Sequence, residues 1–164
     1  MPPQASMNRL LGFGLASACR LLRQREVPRG SGANGPPLFS RFSPAARRVL
    51  RAAEQECRNH NHYYVGAEHM LYALLEEHDG AVDARLAAER VEPEQVHAEV
   101  KRALGTGEGR TWEGILVTPR VRKIVEIAER LAEDREIEPI DLLEAIRAEG
   151  GGLAADILRR AWNT

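Results

Sequence analysis

The chain has 164 residues, a net charge of −1 at pH 7, and 43% hydrophobic and 29% charged residues. These values indicate one globular domain plus an extension, and the near-zero charge gives no general attraction to nucleic acid or to an acidic membrane. No apolar run reaches the roughly 18 residues that a membrane-spanning helix needs. The two cysteines, Cys19 and Cys57, lie in segments of different character, so we expect a reducing compartment rather than a disulfide framework.

The first 41 residues form an extension of distinct composition, with six arginines against a single acid. Residues 10–22 have the pattern of a short amphipathic helix, and the Gly- and Pro-rich residues 28–37 predict a flexible linker. Three functional interpretations stay open: an organelle-targeting peptide, a secretory or lipoprotein signal ending at Cys19, or a helix that docks on a partner. The simpler alternatives are a poorly ordered tail, or a misplaced start codon with Met7 as the true start.

Four helices are predicted within residues 42–104. The first begins at Ser43-Pro44, because serine caps free amide groups and proline fits the first helical turn. Its apolar stripe ends at a polar, histidine-rich turn at residues 59–62. A second helix is predicted from about Ala67 to Glu77. The apolar residues of the third and fourth helices are Val82, Leu86, Val96, Val100 and Leu104.

A loop at residues 105–117 separates these helices from a second group at residues 118–162. Thr118-Pro119 repeats the helix-start signal, a sixth helix begins near Pro139, and a seventh follows the glycines at 150–152. The chain ends before a counterpart of the fourth helix. We therefore expect the second group to be truncated.

The two groups align with each other. Ser43, Pro44, Arg48, Val49 and Ala53 match Thr118, Pro119, Lys123, Ile124 and Ala128 at an offset of 75 residues. Val65, Met70, Leu71, Ala73, Leu74, Gly80 and Leu86 match Ile137, Leu142, Leu143, Ala145, Ile146, Gly152 and Leu158 at an offset of 72. The sequence thus predicts an all-α fold in which residues 42–164 form two pseudo-symmetric repeats of about four helices.

Three motifs carry a family resemblance: R-F-S-P-x-x-R-R-V-L at residues 41–50, H-x-x-V-G-A-E-H-M-L at 62–71, and T-P-R-x-x-K-I at 118–124. Over about residues 41–162 the chain resembles the Clp N-terminal domain, the double-repeat module of the Clp unfoldases, and especially its ClpC type. The resemblance implies an all-α bundle that binds substrates or adaptors and passes them to an ATP-driven ring. No phosphate-loop motif accompanies it, so the chain resembles a stand-alone module without the ATPase.

The same resemblance implies ligand-binding residues. In ClpC-type domains each repeat can hold a phosphorylated arginine, with the guanidinium on a glutamate and the phosphate near a helix start. Carboxylates match the guanidinium fork, and helix N-termini favour phosphate. Here the resemblance places Ser43 and Glu68 in the first pocket and Thr118 in a second. In that second repeat Ile140 stands where the glutamate is expected, with Asp141 one position further, so binding is expected to be one-sided, at the first repeat.

Simpler roles exist for the same residues. Ser43 and Thr118 can be plain helix caps, and an acid such as Glu68 is favoured in a first helical turn by the helix dipole. The histidines at 60, 62, 69 and 78 predict no metal site, because no pair has the spacing of a helical zinc site. Cys57 falls on the apolar stripe and is expected in the core rather than as a nucleophile.

The leading hypothesis is a non-enzymatic protein-binding module that acts with a Clp unfoldase or protease as an adaptor, an accessory subunit or a decoy competing for substrates. No cofactor and no nucleic-acid partner are expected. Two alternatives stay open: a small metal-dependent or hydrolytic enzyme built on the histidine-rich turn, and a DNA-binding accessory protein using the basic extension. We expect a cytoplasmic protein, or one of an organelle stroma or matrix if residues 1–41 are a transit peptide.

Overall fold

The computed structural model describes residues 37–108 and 116–163. Within these ranges the chain forms seven α-helices: α1 Pro44–Asn59, α2 Ala67–Glu76, α3 Gly80–Ala88, α4 Pro93–Leu104, α5 Pro119–Ala132, α6 Pro139–Glu149 and α7 Gly152–Trp162. The predicted all-α fold class is confirmed. The interpretations offered for the N-terminal extension fall on residues 1–36, outside the described residues, and the predicted repeat boundaries remain predictions.

The helix starts follow from local sequence chemistry. The Ser43 Oγ accepts a hydrogen bond from the Ala46 amide at 3.1 Å, and the Thr118 Oγ1 accepts one from the Val121 amide at 3.3 Å. Each cap is followed by a proline, whose missing amide hydrogen costs nothing in the first turn. Capping residue and proline together fix where α1 and α5 begin.

The core is built around α2 and α6. Eight of the ten residues of α2 are buried, whereas α1 and α5 bury one stripe each and expose charged side chains elsewhere. Such a stripe is the pattern of an amphipathic helix packed on a central partner. None of the helices in the described part of the chain is long and apolar enough to cross a membrane.

Two parallel β-bridges tie the halves together. Phe42 pairs with Ile137, and Val65 pairs with Val117. The Ser43 amide donates to the Ile137 carbonyl at 3.0 Å, and the Thr118 amide donates to the Val65 carbonyl at 3.1 Å. At the sequence offsets of 75 and 72 residues each bridge is the counterpart of the other. The predicted pseudo-symmetry is therefore visible in the backbone hydrogen bonds.

Candidate functional site

Glu68 lies in the first turn of α2, with 32% of its side chain exposed. Its carboxylate folds back over the Cα of Gly66, because a Cβ built on residue 66 would lie 2.7 Å from the Glu68 carboxyl carbon. Gly66 therefore provides the space in which the carboxylate rests. The result is a partly exposed acid held close to the backbone at the start of a helix.

His69 is buried beside this acid and fixes the start of α2. Its Nδ1 accepts the Gly66 amide hydrogen at 3.0 Å, so in the neutral ring the proton resides on Nε2 and is donated to Nδ1 of His62 at 2.8 Å. The pKa of His69 is lowered to about 4, mainly by burial and to a smaller extent by the neighbouring His62 and His60. Because this ring is neutral at pH 7, it does not neutralise Glu68, whose Oε1 is 3.9 Å from Nδ1.

Thr118 lies beside the start of α2. Its amide bonds to the carbonyl of Val65, and the Val65 amide bonds to the Leu116 carbonyl at 2.8 Å. Val65 directly precedes Gly66, the N-cap of α2. The structure thus brings the N-terminus of α5, capped by Thr118, next to the helix turn that carries Glu68.

Ser43 lies at the other bridge, beside the start of α6. Only 1% of Ser43 is exposed, and its hydroxyl donates a hydrogen bond of 2.8 Å to Oε2 of Glu138. The family resemblance implies that Ser43 and Glu68 share one pocket, whereas the backbone bridges pair Ser43 with the segment before α6 and Thr118 with the segment before α2. Ser43 faces α6, and Thr118 faces α2, because each cap segment crosses to the opposite half.

At the start of α6, different residues make the hydrogen bonds that His69 makes at the start of α2. Asp141 accepts the Glu138 amide at 2.8 Å, as His69 does for Gly66, and binds the Arg135 guanidinium through two contacts of 2.6 Å. Asp141 is therefore the counterpart of His69 rather than a displaced Glu68. A carboxylate nevertheless reaches the Ser43 cap, because Glu138 replaces the glycine of the other half.

The histidine-rich turn serves as a structural junction. His60 Nε2 is 3.0 Å from Oε1 of Glu56, and the His60 carbonyl accepts the Gly107 amide at 2.7 Å. In residues 37–108 and 116–163 no three His, Cys, Asp or Glu side chains are arranged to hold a metal ion. Cys57 is buried, and burial raises the pKa of its thiol to about 11, so the thiolate is disfavoured at neutral pH.

The sequence model of the Clp repeat (R) N-terminal domain matches residues 41–161. The chain belongs to this family. It is 32% identical over 139 residues to an ATP-dependent Clp protease ATP-binding subunit, ClpA homolog, of Brassica napus, which covers 80% of this chain and 16% of the relative. It is 31% identical over 153 residues to the chloroplastic chaperone protein ClpC1 of rice, which covers 89% of this chain and 16% of the relative.

Solved structures agree with the assignment of the fold. The N-domain of ClpV from Vibrio cholerae superposes with a TM-score of 0.63 at 16% identity, covering 81% of this chain and 88% of that one. At this identity the likeness shows the fold alone. This Clp-N domain spans about a sixth of the curated relatives' own length.

Sequence reasoning missed the contact of Glu138 with the Ser43 cap. The signal was present, since the repeat alignment places Glu138 on Gly66 and Ile140 on Glu68. Only the fold shows that a side chain at position 138 reaches the cap of the opposite half.

Proposed function

We propose that this Clp-N domain is a non-enzymatic protein-binding module that acts with a Clp unfoldase or protease as an adaptor, an accessory subunit or a decoy for substrates. Family membership supports the class of function, and the relatives' names place them in ATP-dependent proteolysis. The observation that carries the proposal is the partly exposed Glu68 carboxylate beside the Thr118-capped start of α5.

This arrangement suits an arginine side chain, and particularly a phosphorylated one. A carboxylate such as that of Glu68 accepts two parallel hydrogen bonds from a guanidinium. The positive end of α5 next to it favours a phosphate attached to that guanidinium. We therefore assign Glu68 and Thr118 to one ligand site, formed by both halves of the domain.

Ser43 receives a different role in this proposal. Its hydroxyl is hydrogen-bonded to the Glu138 carboxylate, which occupies the place at the start of α1 where an anionic ligand would bind. A phosphate approaching Ser43 would meet that negative charge at close range. The junction of Ser43 with α6 thus serves as a structural counterpart, and the ligand binds at the junction of Thr118 with α2.

The direct test is calorimetry with a phosphoarginine-bearing peptide and Glu68→Ala. We expect affinity to fall by about 10-fold or more, since losing a charge-assisted pair costs roughly 1.5–3 kcal/mol. Glu126→Ala on the exposed side of α5 is the matched control and keeps wild-type affinity. Equal affinity of wild type and Glu68→Ala would refute the role of Glu68.

The partner is tested by affinity capture from native lysate with wild type and Glu68→Ala as baits. We expect Clp ATPase or protease subunits with the wild-type bait. Recovery of none counts heavily against action in a Clp system. For the compartment, we propose the cytoplasm, with an organelle stroma or matrix as the alternative if N-terminal sequencing of the native protein shows removal of a leader.

A further inference from the structure

Two exposed apolar side chains lie on the chain segments that lead into α2 and α5. Tyr64 is 55% exposed and Leu116 is 48% exposed, and among the described residues the other large hydrophobic side chains of this kind are Leu131 and Leu153. Tyr64 and Leu116 lie on two chain segments joined by the hydrogen bond from the Val65 amide to the Leu116 carbonyl. We call this pair the Tyr64–Leu116 shelf.

The junction of Ser43 with α6 carries no such apolar pair. By the repeat offsets, the counterparts of Tyr64 and Leu116 are Glu136 and Arg41. The Arg41 guanidinium donates to the Glu133 and Arg135 carbonyls, so this edge is covered by a charged side chain of the domain itself. The apolar pair therefore accompanies only the junction at which the Glu68 carboxylate is partly exposed.

We propose that the Tyr64–Leu116 shelf binds a large apolar residue adjacent in sequence to the arginine held by Glu68. The inference rests on the proposed function and narrows its substrate class. The partner is an extended protein segment in which a cationic arginine-type side chain neighbours a leucine, phenylalanine or similar residue. Recognition thus uses two contacts, one electrostatic and one hydrophobic.

Charge complementarity selects this occupant over others. Tyr64 lies on the segment that enters α2, and Glu68 in the first turn of that helix attracts a cationic segment and repels an acidic lipid surface. An exposed aromatic ring and a leucine at a shared edge gain free energy when an apolar side chain covers them, and tyrosine does so at a low cost in side-chain entropy. The shelf supplies the sequence preference that a guanidinium contact alone lacks.

The test compares two fluorescein-labelled octapeptides that carry one central phosphoarginine and differ only in its neighbour, leucine or serine. On the wild-type protein we expect the leucine peptide to bind about 10-fold more tightly, equivalent to about 1.4 kcal/mol. The double variant Tyr64→Ser, Leu116→Ser is expected to lose this preference and to bind the serine peptide with the same affinity as wild type. Leu131→Ser, an equally exposed leucine at the far end of α5, keeps the preference.

The outcomes separate this inference from the proposed function. Equal binding of the two peptides by wild type, or an unchanged preference in the double variant, overturns the shelf alone. Binding of neither peptide by wild type overturns the proposed function and this inference with it. Analytical ultracentrifugation of the peptide-free protein tests whether the shelf binds a second copy of the chain. A wild-type dimer that dissociates in the double variant would assign the shelf to that contact and overturn this inference. Circular dichroism of each variant confirms that it is folded.

Discussion

The position of the Glu68 carboxylate depends on the absence of a side chain two residues earlier. Gly66 has φ −96°, which any residue can adopt, so the glycine is not required for backbone conformation. It is required for space, since the carboxylate lies where a Cβ would be. The absence of a side chain at Gly66 thus determines where the Glu68 carboxylate lies.

Gly66→Ala is therefore expected to weaken ligand binding while leaving the fold intact. The new methyl group displaces the flexible end of Glu68, and affinity for a phosphoarginine peptide falls several-fold. The free energy of unfolding changes by less than about 1 kcal/mol, because only a side-chain terminus moves. Calorimetry and urea unfolding measure the two effects. Gly80→Ala, whose added Cβ meets nothing within 4 Å, is the control. Wild-type affinity in Gly66→Ala would contradict the geometry.

The lowered pKa of His69 leads us to expect that the stability of the domain depends on pH. Its pKa is about 4 in the folded chain against an ordinary value of 6.5, so the unfolded chain binds the proton more readily. Its contribution is fully present above pH 6.5 and is lost as pH falls from 6.5 towards 4, by an amount of about 3 kcal/mol. His69→Asn retains an acceptor for the Gly66 amide but does not titrate.

Urea unfolding at pH 7.5, 5.5 and 4.5 compares the two proteins. We expect the free energy of unfolding of His69→Asn to fall less steeply with decreasing pH than that of wild type. The carboxylates titrate in both proteins, so the difference between the curves isolates His69. Parallel curves would show that the ring is not kept neutral by burial.

At the scale of the helices, the two equivalent caps differ in burial and in the hydrogen bonds that their hydroxyl groups make. The Ser43 hydroxyl is buried and makes two hydrogen bonds, one to the Ala46 amide and one to Glu138. Thr118 is partly exposed, and the hydroxyl contact that caps α5 is the longer one, at 3.3 Å. Ser43 thus joins α1 to α6, whereas Thr118 caps its own helix.

Ser43→Ala should destabilise the domain more than Thr118→Ala. We expect a loss of about 2 kcal/mol for Ser43→Ala and about 1 kcal/mol or less for Thr118→Ala, because both remove a helix cap but only the first also removes a hydrogen bond to the half-buried Glu138 carboxylate. Urea denaturation measures both, and Ser40→Ala at an exposed serine is expected to change stability by less than about 0.5 kcal/mol. The reverse order would contradict the structural role given to Ser43.

The helices were predictable because their signals are local. A cap followed by proline marks α1 and α5, and proline marks the starts of α4 and α6, within a few residues of the observed bounds. The predicted end of α2 at Glu77 differs from the observed end at Glu76 by one residue. Capping and apolar spacing act within one or two turns, so they can be read from neighbouring residues.

At the scale of the whole molecule, the alignment of the halves predicted equivalence but not contact. It correctly matched Val65 with Ile137 and the Ser43 cap with the Thr118 cap. It could not tell whether a cap contacts the α2-like helix of its own half or of the other, because both arrangements satisfy the same local pattern. That choice is made by the two bridges, which cross between the halves.

Because the cap segments cross between the halves, the residues that we expect to share a ligand site are Glu68 and Thr118 rather than Glu68 and Ser43. The domain retains two pseudo-equivalent junctions that differ in charge and exposure. One holds the open Glu68 carboxylate beside Thr118 and the Tyr64–Leu116 shelf, and the other directs the Glu138 carboxylate onto Ser43. We therefore expect one-sided binding because the Ser43 cap is occupied as well as because Ile140 replaces a glutamate.

The most direct test of one-sided binding is a two-dimensional amide NMR titration of the protein with a phosphoarginine-bearing peptide. We predict that the largest shifts fall on residues 65–70 and 116–122, at the starts of α2 and α5. Residues 41–47 and 137–142, at the starts of α1 and α6, should shift little. Shifts centred on the α1–α6 junction, or spread equally over both junctions, would contradict the assignment of the ligand to Glu68 and Thr118.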